Sequence, residues 1–527
     1  MLSNNRRGGT VVSPRTWCRV ALSVAFTLLL TLSTAHDVRA QQPPDQSPAP
    51  SATQSPTAQS ITCVSKPGER NSCPADTSAG VVLLRSTGEG PCLLGKTWGY
   101  DQTSIWVSEG CSGVFATTGT EVSAPPTKQP APRHVPNAGF LLFDGEKGQV
   151  YFRLFSYGRY LNQRNLDDTW VDAFGNTHDV VRRQDIQLQK FFSPFSGWFL
   201  TPKFRYYLYV WSSNASQGDP AQVVGAGNLT WSFNRFVSVG VGITSLPSVR
   251  STEGQFPYWL GVDDRLIADE FFRGSYTSGV WLKGELQTKV KYQVMFANNL
   301  STLGVSAAQL DNKLDTQSYS LQWLPTTGEF GLWGTFGDYD GHQKVATRTA
   351  IHYTHSLEDK QSQPGTEGIE NSQIRLTDGS NIFTANLFGA GITVNQVTYH
   401  MMSVDGGVKY KGVSLEGEYY WRWLRNFTGA NTGGIADIND HGYQLQTSAM
   451  AVPKTLQLYF GHSQVRGRYG NQWEVRGGEN WYFMRERGLR LNGEWMYVDH
   501  SPVGYTAYPY PVGAKGQVFH INLEMNF

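Results

Sequence analysis

Long hydrophobic runs are scarce in this sequence. In its 527 residues, only the N-terminal region holds an apolar stretch approaching the length of a membrane-spanning helix, and the mean hydropathy is −0.37. This scarcity excludes a bundle of membrane helices. An excess of charge of one sign is also lacking, since 44 Lys and Arg balance 43 Asp and Glu. Nucleic-acid-binding domains usually show a concentrated basic surface, so we expect no nucleic-acid partner.

Cysteine is rare too, and its positions are informative. Of five cysteines, Cys18 lies ahead of the N-terminal apolar stretch, and Cys63, Cys73, Cys92 and Cys111 lie close together further on. An even number in a small exported domain predicts two disulfides. Three pairings are possible, and the nearest-neighbour pairing, Cys63 with Cys73 and Cys92 with Cys111, is our prediction. A zinc site is the less favoured alternative, because the spacing is not of the CxxC type.

The N-terminus has the features of an export signal. Basic residues up to Arg19 precede an apolar core from Val20 to Leu32, and Val38-Arg39-Ala40 forms a small-residue cleavage site. We therefore predict a signal peptide over residues 1–40. Cleavage after Ala35 and retention as a permanent anchor are the alternatives.

Proline-rich stretches divide the remaining chain. Residues 41–60 and 119–136 are rich in Pro and poor in large apolar side chains, so they are predicted linkers. They flank a small disulfide-bonded module at 61–118, expected in the periplasm. Within it, Gly90 to Thr97 matches the phosphate-binding loop pattern GxxxxGK[ST], but the following WGYD favours a turn or strand over the required helix. We interpret this match as accidental.

Aromatic residues and glycine are abundant, with 25 Tyr, 16 Trp and 56 Gly. From residue 137 to 527 they occur in segments that alternate between apolar and polar residues, as strands with one apolar face do. KFRYYLYVW, SLEGEYYWRW and LRLNGEWMY are examples. Weaker segments, including Glu329 to Phe336 and Phe383 to Phe388, are also interpreted as strands, and Asn426 to Asp440 as an external loop. The length suits an antiparallel barrel of about 16 strands.

The final strand is the clearest of these segments. In VFHINLEMNF, alternation places apolar residues on one face and His520, Asn522, Glu524 and Asn526 on the other. The apolar row comprises Phe519, Ile521, Leu523, Met525 and Phe527. We predict that this row faces lipid and that the strand closes the barrel. The predicted fold is therefore all-β, a transmembrane antiparallel barrel preceded by a small β module.

Residues 139 to 527 resemble the phosphate-selective (O and P) porins of the outer membrane, through GVWLKGELQTKVKYQVMFANNLS, GVKYKGVSLEGEYYWRWL and VFHINLEMNF. The resemblance implies a Gram-negative outer-membrane channel for small hydrophilic solutes, assembled as a homotrimer. The segment GPCLLGKTWGYDQTSIWVSEGC resembles a small secreted bacterial domain of unknown function.

Channel selectivity depends on charges in the lumen wall. By alternation, nine cations are candidate pore-lining residues: Arg153, Arg159, Lys203, Arg205, Lys289, Lys291, Arg348, Arg422 and Arg490. However, the region from residue 137 onward holds 33 Lys and Arg against 35 Asp and Glu, so its net charge gives no support to anion selectivity.

Two other functions remain as alternatives. The barrel could anchor the cysteine module, which would bind peptidoglycan, carbohydrate or a periplasmic partner. A membrane-embedded hydrolase is less favoured, because His352 and His355 are accompanied by no nucleophile or acidic motif. We therefore expect no catalytic residues, no metal and no cofactor.

Overall fold

The computed structural model describes residues 60–78, 80–117, 133–135, 138–213, 222–253, 258–303, 313–363, 373–504 and 508–527. The signal peptide and most of both linkers lie outside these ranges. The chain divides into two compact units, Met1–Thr127 and Lys128–Phe527. Within the described ranges, no helix is long and apolar enough to cross a membrane.

The N-terminal unit is a small pair of three-stranded sheets. One sheet has the order β1-β6-β3 and the other β2-β5-β4. Its six strands are β1 Ser60–Cys63, β2 Arg70–Pro74, β3 Val81–Ser86, β4 Trp98–Tyr100, β5 Ser104–Ser108 and β6 Gly113–Thr117. Because β4 directly follows Thr97, the phosphate-loop match is followed by a strand and not by a helix.

Disulfides complete the small core of this unit. Cys63 is bonded to Cys73 and Cys92 to Cys111, which confirms the predicted pairing. The buried apolar side chains around them are few, namely Val81, Trp98, Ile105, Val107 and Phe115. Two cross-links therefore stabilise a unit with little apolar surface to bury.

The second unit is a closed antiparallel barrel of 16 strands, as predicted. Short strands precede or decorate it: β7 Arg133–Val135, β8 Gly139–Gly145, β9 Gly148–Phe152, β11 Thr169–Val171 and β12 Thr177–Asp179. The barrel strands are β10 Phe155–Leu166, β13 Gln184–Phe199, β14 Thr201–Ser213, β15 Gln222–Ser232, β16 Ser238–Ser245, β17 Tyr276–Gln287, β18 Val290–Ala297, β19 Thr316–Trp323, β20 Ala346–Asp359, β21 Thr393–Tyr410, β22 Val413–Ala430, β23 Ile438–Val452, β24 Leu456–Arg466, β25 Trp473–Trp481, β26 Leu489–Asp499 and β27 Gly516–Asn526.

The last strand closes the barrel against the first. β27 pairs antiparallel with β10, from Asn526 opposite Phe155 to Gly516 opposite Leu166. The backbone N–H of Leu154 donates to the carbonyl of Phe527 at 2.7 Å, so pairing continues to the last residue. We call the barrel end that contains Phe155 and Phe527 the turn end, and the opposite end the loop end.

The barrel has a polar inside and an apolar outside. On β27, Leu523 is 48% exposed whereas Asn522 is fully buried, and the other residues of the strand alternate in the same way. A water-soluble sheet would bury its apolar face, so the observed orientation suits an apolar solvent around the barrel. The orientation predicted for the closing strand is therefore the one found.

Three local predictions were wrong. Glu329 to Phe336 is not a strand, because Gly331 and Gly334 have positive φ angles and Leu332–Gly334 forms a 3₁₀ turn. Phe383 to Phe388 consists of turns within a loop. The expected loop at 426–440 is short, because β22 and β23 extend into it from both sides.

Candidate functional site

The loop-end connection between β16 and β17 folds into the lumen. Residues 246–275 join β16 to β17 and contain two short helices, Arg250–Glu253 and Ile267–Phe272. Most of the described side chains in this connection are buried. We call it the inserted loop.

Buried ion pairs fasten the inserted loop to the wall. Arg250 contacts Glu416 on β22 at 2.7 Å, and Asp263 contacts Lys190 on β13 at 2.6 Å. Asp264 likewise contacts Arg476 on β25 at 2.9 Å. Charges removed from water are tolerated only when they are paired, so these contacts hold the loop in one position.

A second segment enters the lumen from the opposite end. Residues 324–345 join β19 to β20 at the turn end, and we call them the turn-end segment. Lys409 on β21 donates to the carbonyl of Phe330 at 2.9 Å. The backbone N–H of Phe336 donates to the carbonyl of Tyr258 in the inserted loop at 3.2 Å. The two insertions therefore meet inside the barrel.

A histidine stabilises the turn-end segment. The His342 ring contacts Asp338 at 2.5 Å and Glu329 at 3.1 Å. Burial lowers the pKa of His342, but these two carboxylates outweigh burial and leave the pKa above its ordinary value of 6.5. Burial conversely raises the pKa of Glu329, and hydrogen bonds from the Gly331 amide and from His342 bring it below its ordinary value.

The space left by the insertions is a cavity of about 1190 Å³ along the wall from β13 to β20. Ser245 and Tyr276 line it near the loop end, and Lys203 and Glu285 line it near the turn end. On β17 alone, the cavity extends from Tyr276 to Glu285, nine residues apart. At about 3.3 Å per residue this corresponds to roughly 30 Å along the strand, which is about the length of a tilted strand that crosses a membrane.

Cations outnumber carboxylates in the cavity lining. Seven Lys or Arg side chains line it, against the three carboxylates Glu253, Glu285 and Glu329. Glu253 pairs with Arg348 at 2.9 Å, and Glu329 pairs with His342. Glu285 lies opposite Lys291 in the register of β17 and β18.

Four of the seven cations stand apart from carboxylates. Lys190 pairs with Asp263, Arg348 with Asp405 and Glu253, and Arg153 donates to Asn526. Within the described part of the chain, no carboxylate lies within 4.0 Å of the charged group of the other four, Lys203, Arg205, Lys283 and Lys291. Their positive charge is therefore available to a solute in the cavity.

The nine cations predicted from alternation fall into three groups. Arg153, Lys203, Arg205, Lys291 and Arg348 line the cavity. Lys289 lies at the turn between β17 and β18, where it donates to the carbonyls of Pro325 and Thr326 at 2.8 and 2.7 Å. Arg159, Arg422 and Arg490 point into the barrel, but they are buried beneath the loops.

The three buried arginines anchor the loops that fill the lumen. Arg159 donates to the carbonyl of Val262 at 2.6 Å, and Arg490 donates to the carbonyls of residues 259, 260 and 261. Arg422 pairs with Asp440 at 2.7 Å and donates to the carbonyl of Arg375. These residues set the position of the insertions and do not line the cavity.

Two interior groups have the residue types of a metal site. Asp264, Glu494 and His520 form one, and His352, Asp405 and Glu418 form the other. His352 already contacts Asp405 at 2.9 Å and the carbonyl of Pro247 at 3.1 Å. The Nδ1 atom of His520 contacts the side-chain nitrogen of Asn522. In metal-binding histidines, by contrast, the ring nitrogen that does not bind the metal donates its N–H to an acceptor. We interpret both groups as links between the inserted loop and the wall.

Sequence reasoning missed the residues of the inserted loop. Arg250, Glu253 and Asp263 occupy a connection without strand periodicity, so no pattern indicated that they would lie in the lumen. Sequence reasoning missed Lys190 as well, because alternation with the outward residues Ile186 and Leu188 would place it on the outer face. A bulge between Leu188 and Lys190 on β13 turns its side chain into the lumen.

A family model described as "Protein of unknown function (DUF3011)" matches residues 40–135. This range covers the cysteine module and agrees with the resemblance seen there. No curated protein matches the chain. The resemblance to phosphate-selective porins is not confirmed by these comparisons.

Solved structures similar to the barrel include outer-membrane channels. An anion-selective porin from Comamonas acidovorans is 10% identical, with a TM-score of 0.45, over 72% of this chain and 100% of that one. The outer membrane channel DcaP of Acinetobacter baumannii is 9% identical, with a TM-score of 0.45, over 74% and 100%. A trimer form of OmpT, an outer membrane protein of Vibrio cholerae, is 13% identical, with a TM-score of 0.45, over 72% and 100%. Because these values are low, function is inferred below from the lumen of this chain.

Proposed function

We propose that this chain is an outer-membrane porin whose cavity passes small hydrophilic anions in preference to cations. The observation that carries the proposal is the group of four unpaired cations, Lys203, Arg205, Lys283 and Lys291, on the wall of one long cavity. Basic side chains in a channel lining favour anions. The proposal assigns passage of solutes to the lumen and not a catalysed reaction.

The local charge supports anion preference where the net charge of the barrel does not. Many interior carboxylates are used in ion pairs with arginine and lysine, as in Asp405 with Arg348 and Glu524 with Arg490. Asp405 and Glu524 therefore count in the overall charge without lining the cavity. Phosphate and related oxyanions are the solutes that the sequence resemblance favours, and Lys and Arg side chains suit them.

The outer-membrane location follows from the same physical reasoning. A closed barrel leaves no unpaired strand edge, and the exposed row on β27 is apolar. Bacterial barrels have short periplasmic turns and longer external loops, so the turn end is proposed to face the periplasm. A homotrimer is proposed on the sequence resemblance, and chemical cross-linking of the purified protein tests it.

Planar-bilayer recording of the purified full chain tests the proposal. We expect stable open channels and, in a KCl gradient, a reversal potential of the sign given by chloride preference. A silent barrel would refute the channel. Stable channels with potassium preference would refute anion selectivity while leaving the channel intact.

A second candidate function is that the cysteine module binds an envelope polymer. The side chain of Tyr100 is exposed beside β5, and Arg70 lies over the Trp106 ring at 4.1 Å. Aromatic side chains with a polar neighbour suit recognition surfaces. Pull-down of peptidoglycan with the full chain, compared with a variant lacking residues 61–118, tests this function. Equal pull-down by both proteins would exclude it.

A further inference from the structure

The lining of the cavity differs between its two ends. The four unpaired cations lie toward the turn end, where aromatic side chains such as Tyr206 and Tyr292 also line the cavity. Toward the loop end the only lining cation among the described residues is Lys190, which is paired with Asp263, and the wall there carries Phe192, Tyr207, Tyr209 and Trp211. We call this part the aromatic half. On β14 the inward residues change from Lys203 and Arg205 to Tyr207, Tyr209 and Trp211. The passage of small inorganic anions requires positive charge in the lining, but it does not require an aromatic surface beside that charge.

The aromatic half is a packed surface. Phe192 lies 5.2 Å from Tyr209, and Tyr207 lies 5.7 Å from Tyr209, measured between ring centroids. Leu303 joins the same buried apolar cluster. These spacings hold the rings in fixed orientations, as a surface that receives another flat ring requires.

Trp211 belongs to the same cluster and is only 5% exposed. Its indole Nε1 is itself buried and has no hydrogen-bond partner among the described residues. The Lys190 ammonium lies 4.6 Å from the centroid of the Trp211 ring, so a positive charge also stands beside the aromatic half.

Charge and aromatic surface are close enough to act on one small molecule. Arg205 and Tyr207 are consecutive inward residues of β14, so their Cα atoms are about 7 Å apart. On β17, Trp281 and Lys283 have the same relation, and both line the cavity. An anionic group at Arg205 or Lys283 therefore places an attached ring beside Tyr207 or Trp281.

We propose that this cavity binds organic anions that carry an aromatic ring, of the aromatic carboxylate class, in preference to anions of equal charge without a ring. The carboxylate lies at the unpaired cations, and the ring lies on the surface formed by Tyr207, Tyr209 and Trp211. This inference rests on the proposed anion channel and specifies its substrate class.

Calorimetric titration of the detergent-purified full chain with benzoate and with acetate tests the proposal. One aromatic contact is worth about 2- to 10-fold in affinity, so benzoate should bind about 2- to 10-fold more tightly than acetate. Tyr207→Leu and Trp211→Phe should each reduce benzoate affinity about 3-fold or more. Trp231→Phe is the matched control, because Trp231 lies on the neighbouring strand with its ring exposed on the outer face.

Bilayer recordings separate failure of this inference from failure of the channel. Added benzoate should reduce chloride current through the wild type more than acetate does, and Tyr207→Leu should reduce this difference while the channel stays open. Equal effects of benzoate and acetate on an open anion channel would overturn the ring-binding proposal alone. Absence of channels would refute the proposed function, and calorimetry would still decide whether the cavity prefers the ring.

Discussion

Neutralising two of the unpaired cations should weaken the anion preference of the channel. The double variant Lys283→Gln with Lys291→Gln removes two positive charges from adjacent strands of the cavity wall and leaves Glu285 facing the lumen. Neither lysine forms an ion pair with a described carboxylate. The barrel should therefore fold normally, which distinguishes these positions from the buried arginines.

The size of the effect follows from Coulomb's law. A unit charge about 6 Å from a passing ion contributes about 0.7 kcal/mol in water, favouring an anion and disfavouring a cation. The anion-to-cation difference is then about 1.4 kcal/mol per lysine. With a Debye length of about 10 Å at 0.1 M salt, roughly half of this energy difference remains. It corresponds to about a 4-fold change in the anion-to-cation permeability ratio. Two lysines together should change the ratio by about 10- to 20-fold.

Reversal potentials in a KCl gradient measure this ratio directly. Lys283→Arg with Lys291→Arg keeps the charge and should keep the selectivity. Lys289→Gln is a second control, since Lys289 contacts turn carbonyls outside the cavity lining. An unchanged ratio in the double glutamine variant, or an equal change in Lys289→Gln, would refute the assignment of these cations to the conducting path.

Three further predictions concern assembly and the insertions. Phe527→Ser should lower the yield of inserted barrel, measured as the heat-modifiable band on gels, because it removes the terminal apolar side chain of the closing strand; normal yield would contradict that role. Arg348→Gln removes the arginine partner of the buried Asp405 and leaves only its contact with His352. Breaking a buried pair costs about 3 to 5 kcal/mol, so unfolding should occur at a lower temperature; unchanged stability would show that the pair is not stabilising. The pKa of His342 is raised in the folded protein, so protonated His342 stabilises the turn-end segment fully below pH 6.5, and this stabilisation is lost as pH rises through the raised pKa. Current noise in the wild type should therefore increase above pH 6.5. The variant His342→Gln should show high current noise at every pH.

Strand periodicity accounts for most of what the sequence predicted correctly. The closing strand and SLEGEYYWRW alternate without interruption, because one face contacts an apolar solvent and the other a polar interior. The contrast between the apolar outer side and the polar inner side of the barrel wall therefore appears in the sequence as an alternation of apolar and polar residues. The disulfide pairing was predicted from spacing and is confirmed.

The insertions could not be predicted, because their structure depends on contacts with distant strands. Residues 329–336 have strand-like composition, but positive φ angles at Gly331 and Gly334 turn the backbone into the lumen. The inserted loop is held by Glu416 and Arg476, which are far away in sequence. For the same reason, alternation placed Arg422 and Arg490 inside the barrel but could not show whether they line the cavity or are buried against a loop.

Because the inserted loop and the turn-end segment meet inside the barrel, its outer circumference and its open cross-section are set by different parts of the chain. The number of strands fixes the outer circumference of the barrel, whereas the open cross-section is what the two insertions leave beside β13 to β20. Changes in the insertions can therefore widen, narrow or recharge the passage without altering a single lipid contact. A family of pores with different solutes could share one unchanged outer wall.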